Sequence, residues 1–282
     1  MATRIDIVPE EKDRDFYLKR IGHDEDYGRL VAEDADIYVN DELAIVYRQQ
    51  WMDVSKTLYL RDQFASLEFS NNTKRSGGMN TNARTFGYMP RRPLRQDFCY
   101  RCVFDRENPE LFKDVYRVGE MAAKEFKAHV PHVYTEQMEL LSVIPSEYKF
   151  PNFPFTGGII NQDSSLMYHQ DRANFLQSWS AMLGIKKHIE TGSGVLVVPQ
   201  MNVALDVGDG SLTLFNGTKW WHGVSPIKFT RPDAGRYTMV FYANRQMVNC
   251  LPLDQEIQRA QLKRTRVEAN RHSVTGVHRK TT

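Results

Sequence analysis

The chain has 282 residues, 41% of them hydrophobic and 26% charged, with a formal net charge of +2. Such proportions suit a globular protein with a sizeable core and exclude a disordered or fibrous chain. No apolar run reaches the length of a membrane span, and the charged N-terminus MATRIDIVPEEKDRDFYLKR lacks a signal-peptide stretch, so a soluble, cytoplasmic protein is expected.

Residues 1–35 are polar and charged and read as an N-terminal arm with a short helix. DIYVNDELAIVYRQQ places β-branched and aromatic residues around Asn40-Asp41, which predicts two strands joined by a turn. TLYLRDQFASLEF suits either a helix or a mixed segment. NNTKRSGGMNTNARTFGYMPRR is rich in Asn, Gly, Thr and Arg and predicts a long loop. Cys99 and Cys102 form a CYRC pair, but no second pair exists to complete a zinc site. With Cys250 they make three cysteines, too few for a disulfide framework, so small structural side chains are expected.

Beyond Asn108, Leu111, Val115, Val118, Ala122 and Phe126 recur at helical spacing and predict a long helix that Pro131 divides. From Phe155 to Arg245 the texture changes to short apolar runs punctuated by Gly, Pro, Asn and Asp, including LMYHQDRANF, GSGVLVVP, GSLTLFNG, KWWHGVSPI and GRYTMVFYANR. Strands at that spacing predict a sandwich or barrel. The fold class that follows is mainly β with supporting helices. Its core is a double-stranded β-helix, or jelly roll, over about residues 155–245. That core sits in a single domain spanning 36–250 with an N-terminal α/β extension. Residues 251–282 read as a basic helix and tail, since Asp254–Thr282 holds seven Lys and Arg against three Asp and Glu.

The chemistry is concentrated in His169, Asp171, His222 and Arg236. Two imidazoles and one carboxylate on one face of a metal leave positions open, the facial arrangement of non-haem Fe(II) oxygenases. Residues i and i+2 of a strand share a face, so one strand is expected to aim His169 and Asp171 together. His222 is then expected from a strand on the opposite side of the barrel. Each residue alone is commonplace; their order on predicted strands is what points to a metal. Arg236 and Thr238 share an inward face of the last strand by the same alternation. A buried guanidinium needs an anion, and the C5 carboxylate of 2-oxoglutarate is the natural candidate, with O2 as the second cosubstrate.

HQDRAN, then GSGVLVVPQMNVALDVGDGSLTLFNGTKWWHGVSPI, then GRYTMVFYANR, resembles the Tet/JBP family of nucleic-acid base dioxygenases. The resemblance covers residues 155–245 and extends more weakly into TFGYMPRRPLRQDFCYRC. It implies that His169, Asp171 and His222 bind Fe(II), that Arg236 with Thr238 holds 2-oxoglutarate, and that Asn174 meets the target base. It further implies hydroxylation of the 5-methyl group of 5-methylcytosine or thymine in DNA. Three cysteines cannot build the zinc-binding region of the animal Tet enzymes, and there is no room for the separate recognition domain of the JBP proteins. The chain thus resembles a compact bacterial or phage-type member.

A methyl group inside a duplex cannot enter a buried mouth, so a flipped pyrimidine base is expected. Tyr168, Phe175 and Trp221 neighbour the ligands and could stack on that base, although aromatics at a barrel mouth more often belong to the core. Arg91, Arg92 and Arg95, stiffened by Pro90 and Pro93, are candidates for phosphate contact along with the basic tail. The alternatives are a 2-oxoglutarate-dependent hydroxylase of a small molecule or amino acid, sharing every iron and cosubstrate residue, and a jelly-roll binding module that needs no cosubstrate clamp. The sequence leaves the oligomeric state open.

Overall fold

Two sheets face each other because apolar residues alternate along the strands of the C-terminal half, and one of the two is backed by helices. The computed structural model describes residues 2–74, 80–92 and 97–277. Among these residues the strands are β1 (Thr3–Ile7), β2 (Arg29–Val31), β3 (Ala35–Val39), β4 (Glu42–Arg48), β5 (Ser70–Lys74), β6 (Asn80–Met89), β7 (Tyr100–Arg101), β8 (Gly157–Gln162), β9 (Leu166–His169), β10 (Ser180–Lys187), β11 (Leu196–Val198), β12 (Val203–Leu205), β13 (Ser211–Phe215), β14 (His222–Val224) and β15 (Gly235–Tyr242). The major sheet runs β1-β3-β4-β13-β10-β15-β8-β6-β5, with β7 beside β6; the minor sheet runs β2-β12-β11-β14-β9. Strands β8 to β15 shuttle between the sheets, four in each, which is the jelly roll expected from the sequence.

The helices are α1 (Arg14–Tyr17), α2 (Val54–Ala65), α3 (Val103–Glu107), α4 (Pro109–His129), α5 (Pro131–Ser142) and α6 (Leu253–Val277). Pro109 and Pro131 stand at the first turns of α4 and α5, where a missing N–H costs nothing, so the break at Pro131 is a new start. The apolar stripe of α4 (Val115, Val118, Phe126) packs on Leu183, Ile185, Leu214, Met239 and Phe241 from the outer face of the major sheet. A second core lies between the sheets, where Ile37, Ile45, Tyr47 and Met182 meet Val198, Val203 and Leu205. Because Tyr237, Met239 and Phe241 of β15 face the helices, period-two alternation turns Arg236 and Thr238 into the space between the sheets.

Several expectations need correction. NNTKRSGGMNTNARTFGYMPRR is not a long loop: β5 and β6 pair antiparallel, and β6 also pairs with β8. Its polar composition hid the strand because only Ala83, Phe86 and Met89 carry its apolar burial. Gly87, at φ +81°, lets β6 approach so closely that a Cβ there would lie 2.4 Å from the Gly157 Cα. The undecided segment before it forms α2, capped by the Asp53 carboxylate, which accepts from Lys56 N–H at 2.9 Å. Cys99 is disulfide-bonded to Cys250, whereas Cys102 is a buried free thiol that burial pushes up to about 12. A partner 151 residues away has no local signature. The first 35 residues supply a strand to each sheet, β1 pairing with β3 and β2 with β12, both parallel. Among the described residues no helix is long and apolar enough to cross a membrane.

Candidate metal and anion site

His169 closes β9 and His222 opens β14, and the two stand directly opposite each other in the antiparallel ladder of the minor sheet. They are therefore neighbours, not residues from opposite sides of the barrel. Their ring centroids are 4.4 Å apart. His169 Nδ1 lies 2.8 Å from Met167 O, and His222 Nδ1 lies 3.0 Å from Trp220 O. A carbonyl only accepts, so each Nδ1 is the donor, and each Nε2 lies toward Asp171. The same device, a bond to the carbonyl two residues upstream, orients both rings.

Asp171 lies past the end of β9, so strand alternation does not position it. Its N–H donates to Gly217 O at 2.9 Å, tying it to the turn that precedes His222. Asp171 Oδ1 then sits 3.7 Å from His169 Nε2 and 3.9 Å from His222 Nε2. One donor atom from each of the three residues falls within a sphere in which all lie within 4.8 Å of one another. Gly217 is a positioning residue with no motif to flag it. A Cβ there would come 2.5 Å from Asp171 Oδ2 and 3.2 Å from His222 Cε1, so any side chain would displace ligands. His169 and Asp171 are half-buried and His222 is buried, which leaves the cluster open on one side. Two imidazoles, a carboxylate, no thiolate and open positions fit Fe(II).

Arg236, 2% exposed, points into the same space from the major sheet. Its Nε and Nη2 are buried and meet no acceptor. Burial pushes its pKa down to about 10, against the pull of Asp163 and Asp206. Asp163 accepts from the Arg236 backbone N–H at 2.7 Å, and Asp206 is bonded to Lys186 Nζ at 2.7 Å. The two carboxylates thus stabilise the cation from a distance without satisfying its N–H groups. A fork of donors in a dry site accepts a carboxylate. Gly194, at φ +63°, leaves room for it, since a Cβ would be 3.1 Å from Arg236 Cδ and Nε. Thr238 is buried beside it in β15 and accepts from Asn161 Nδ2 at 3.1 Å. Lys186, opposite Arg236 in the ladder, and Asp206 are members of this polar set that no sequence motif marks.

The remaining candidates separate. Asn174 is buried, its Nδ2 3.4 Å from Ser180 Oγ and its N–H donating to Asp171 O at 3.0 Å. Arg91 is paired within the chain: Nε donates to Glu256 Oε2 at 3.0 Å and Nη2 to Oε1, pinning α6. Burial raises the Glu256 carboxyl, but Arg91, the Leu251 N–H and Arg259 outweigh it and leave the pKa below its ordinary value. Arg92 is exposed, and Arg95 lies outside the described residues. Tyr168 turns away from the metal face and donates to Asp26 Oδ2 at 2.8 Å, while Trp221 stacks on Tyr17 at 4.5 Å. Phe175 packs against the cluster around Cys99 and Cys250. All three aromatics are structural.

No protein-family model matches the chain, and no curated protein matches it in sequence. Among solved structures, the chain is similar to NgTET1 in complex with 5mC DNA, with a TM-score of 0.63 at 13% identity over 84% of this chain and 88% of that one. A 2OG-Fe(II) oxygenase family oxidoreductase from Burkholderia pseudomallei aligns with a TM-score of 0.46 at 14% identity, over 72% of this chain and 86% of that one. The first similarity is one of fold.

Proposed function

We propose that this protein is an Fe(II)/2-oxoglutarate-dependent dioxygenase that hydroxylates the 5-methyl group of a pyrimidine in DNA. The observation that carries the oxygenase reading is the pairing of a three-ligand cluster with a buried, unpartnered Arg236 on the facing sheet. A metal-binding module has no use for a guanidinium kept dry at such a cost.

His169, Asp171 and His222 would hold the iron, each through an atom already oriented by its own backbone or turn contact. Arg236 would bind the C5 carboxylate of 2-oxoglutarate, with Thr238 lining the pocket. Iron with 2-oxoglutarate and O2 supplies the oxidising power that an unactivated methyl group requires. The protein's own contribution is placement and the exclusion of water. The DNA assignment is supported by the HQDRAN motif and by a fold shared with a protein solved on 5mC DNA. Asn174 follows the carboxylate ligand by three residues, and its long bond to Ser180 is one that an acceptor on a pyrimidine edge would replace.

The test is anaerobic reconstitution with Fe(II) and 2-oxoglutarate, then exposure to O2 with 5-methylcytosine DNA and thymine-containing DNA in parallel. Nucleoside mass spectrometry reads the products, with His169→Ala as control. A hydroxymethyl product from one DNA supports the reading and names the base. Succinate without product from either DNA overturns the DNA assignment and turns the search to small-molecule or amino-acid substrates.

A further inference from the structure

Arg91 is paired with Glu256, and a second set of cations stands closer to the metal cluster. Three segments surround the metal cluster: 170–179, 216–222 and 243–252. Their charged residues are Arg172, Lys219, Arg245 and a single acid, the metal ligand Asp171. Among the described residues neither Arg172 nor Arg245 meets a carboxylate, and both are exposed. Lys219 lies over the Trp220 ring at 5.0 Å, and its only acidic neighbour among those residues is the exposed Glu42 at 3.9 Å, a contact of little energetic weight.

These cations ride on one hydrogen-bonded frame. The Arg245 N–H donates to Ala173 O at 3.0 Å, the Phe175 N–H donates to Ala243 O at 3.2 Å, and Asn174 bridges Asn244. Segment 173–175 is therefore a short ladder with 243–245, and Arg172 and Arg245 sit at the same end of it. On the other side, Asn216 Nδ2 and Thr218 Oγ1 both donate to Leu176 O, at 2.8 and 2.6 Å. Gln170 Nε2 donates to Lys219 O at 3.0 Å, and the Asp171 N–H to Gly217 O at 2.9 Å. The frame that fixes the metal ligands thus also fixes the backbones carrying the three cations. Cations with little local acid to offset them, carried on one hydrogen-bonded frame, match a regularly spaced polyanion.

We infer that Arg172, Lys219 and Arg245 form a cationic rim that grips the sugar–phosphate backbone of DNA around the metal-bearing mouth. The inference rests on the DNA reading for its choice of polyanion, but not on any oxidation step. Backbone contacts fix position without reading sequence, so the rim would hold unmethylated and methylated duplexes alike.

The experiment is fluorescence anisotropy of a labelled unmethylated duplex titrated with the full chain at several KCl concentrations. The proteins are the wild type, the triple variant Arg172→Gln/Lys219→Gln/Arg245→Gln, and Lys113→Gln/Lys124→Gln on the outer face of α4 as control. Each phosphate contact contributes a slope of about −0.9 to log K against log salt. The triple variant should therefore lose about two to three units of slope and bind at least about 100-fold more weakly at low salt, with the control unchanged. Equal slopes for wild type and triple variant overturn the rim, as does wild-type binding without salt dependence. The two proposals fail separately. A rim that passes in a protein making no hydroxymethyl base removes only the oxidation reading. DNA oxidation by a triple variant that binds as tightly as wild type removes only the rim.

Discussion

The two halves of the site prepare for their ligands in opposite ways. On the minor sheet, His169, Asp171 and His222 already satisfy their secondary hydrogen bonds: each ring is held through a backbone carbonyl and the aspartate through its own N–H. His169 and Asp171 are partly open to solvent, and the three side chains are oriented by these contacts. On the major sheet, Arg236 is sealed from water with two donor groups unmet. The first half is preorganised and inexpensive; the second stores a desolvation penalty that an anion relieves. Binding energy on the arginine side can thus be spent on selecting the cosubstrate, while geometry on the histidine side selects the metal.

The largest effect expected from breaking this arrangement is on the metal side. His169→Ala should lower iron-dependent turnover at least about 1,000-fold, because two remaining ligands no longer define a face. Turnover assays with added Fe(II) check it, and substantial rescue at high iron would place the residue outside the first coordination sphere.

Arg236→Met comes next and separates the halves. It should weaken 2-oxoglutarate binding by about 100-fold or more, while the ligand-free protein becomes as stable as wild type or more so. The sign follows from burial: the guanidinium loses its hydration on folding and two of its N–H groups gain no acceptor, so an apolar side chain in its place removes a cost. Denaturant unfolding at neutral pH measures it. A marked loss of ligand-free stability in the variant would mean that the guanidinium already has partners.

Gly217→Ala should act on geometry alone. A Cβ 2.5 Å from Asp171 Oδ2 must push the carboxylate away, which should reduce metal affinity about 10- to 100-fold with Arg236 untouched. Metal titration by calorimetry reads it. The smallest effect at the site is expected from Cys99→Ser/Cys250→Ser. Losing a disulfide between the loop before β7 and the turn that precedes α6 should cost about 2–4 kcal/mol of stability and leave metal affinity unchanged.

The comparison also explains what could be read from the chain. The jelly-roll strands were legible because most are short apolar runs with Gly, Pro, Asn or Asp close by, and Arg236-x-Thr238 was legible because a strand's period fixes which side faces in. Asp171 was assigned to the right cluster for a reason that does not operate: β9 ends at His169, and the Gly217 carbonyl, not alternation, brings the carboxylate round. The β9–β14 pairing, the Cys99–Cys250 bond and the capture of Arg91 by Glu256 depend on residues 53, 151 and 165 positions apart. Local pattern carries no record of such distances. Gly217 was invisible because its role is the side chain it lacks.

The most direct test is anaerobic calorimetric titration of 2-oxoglutarate into the Fe(II)-loaded protein and into Fe(II)-loaded Arg236→Met. The account predicts saturable one-to-one binding to the wild type and at least about 100-fold weaker binding to the variant, with both proteins holding iron equally well. Equal affinity in the two would contradict it, because the buried guanidinium would then be serving some other anion.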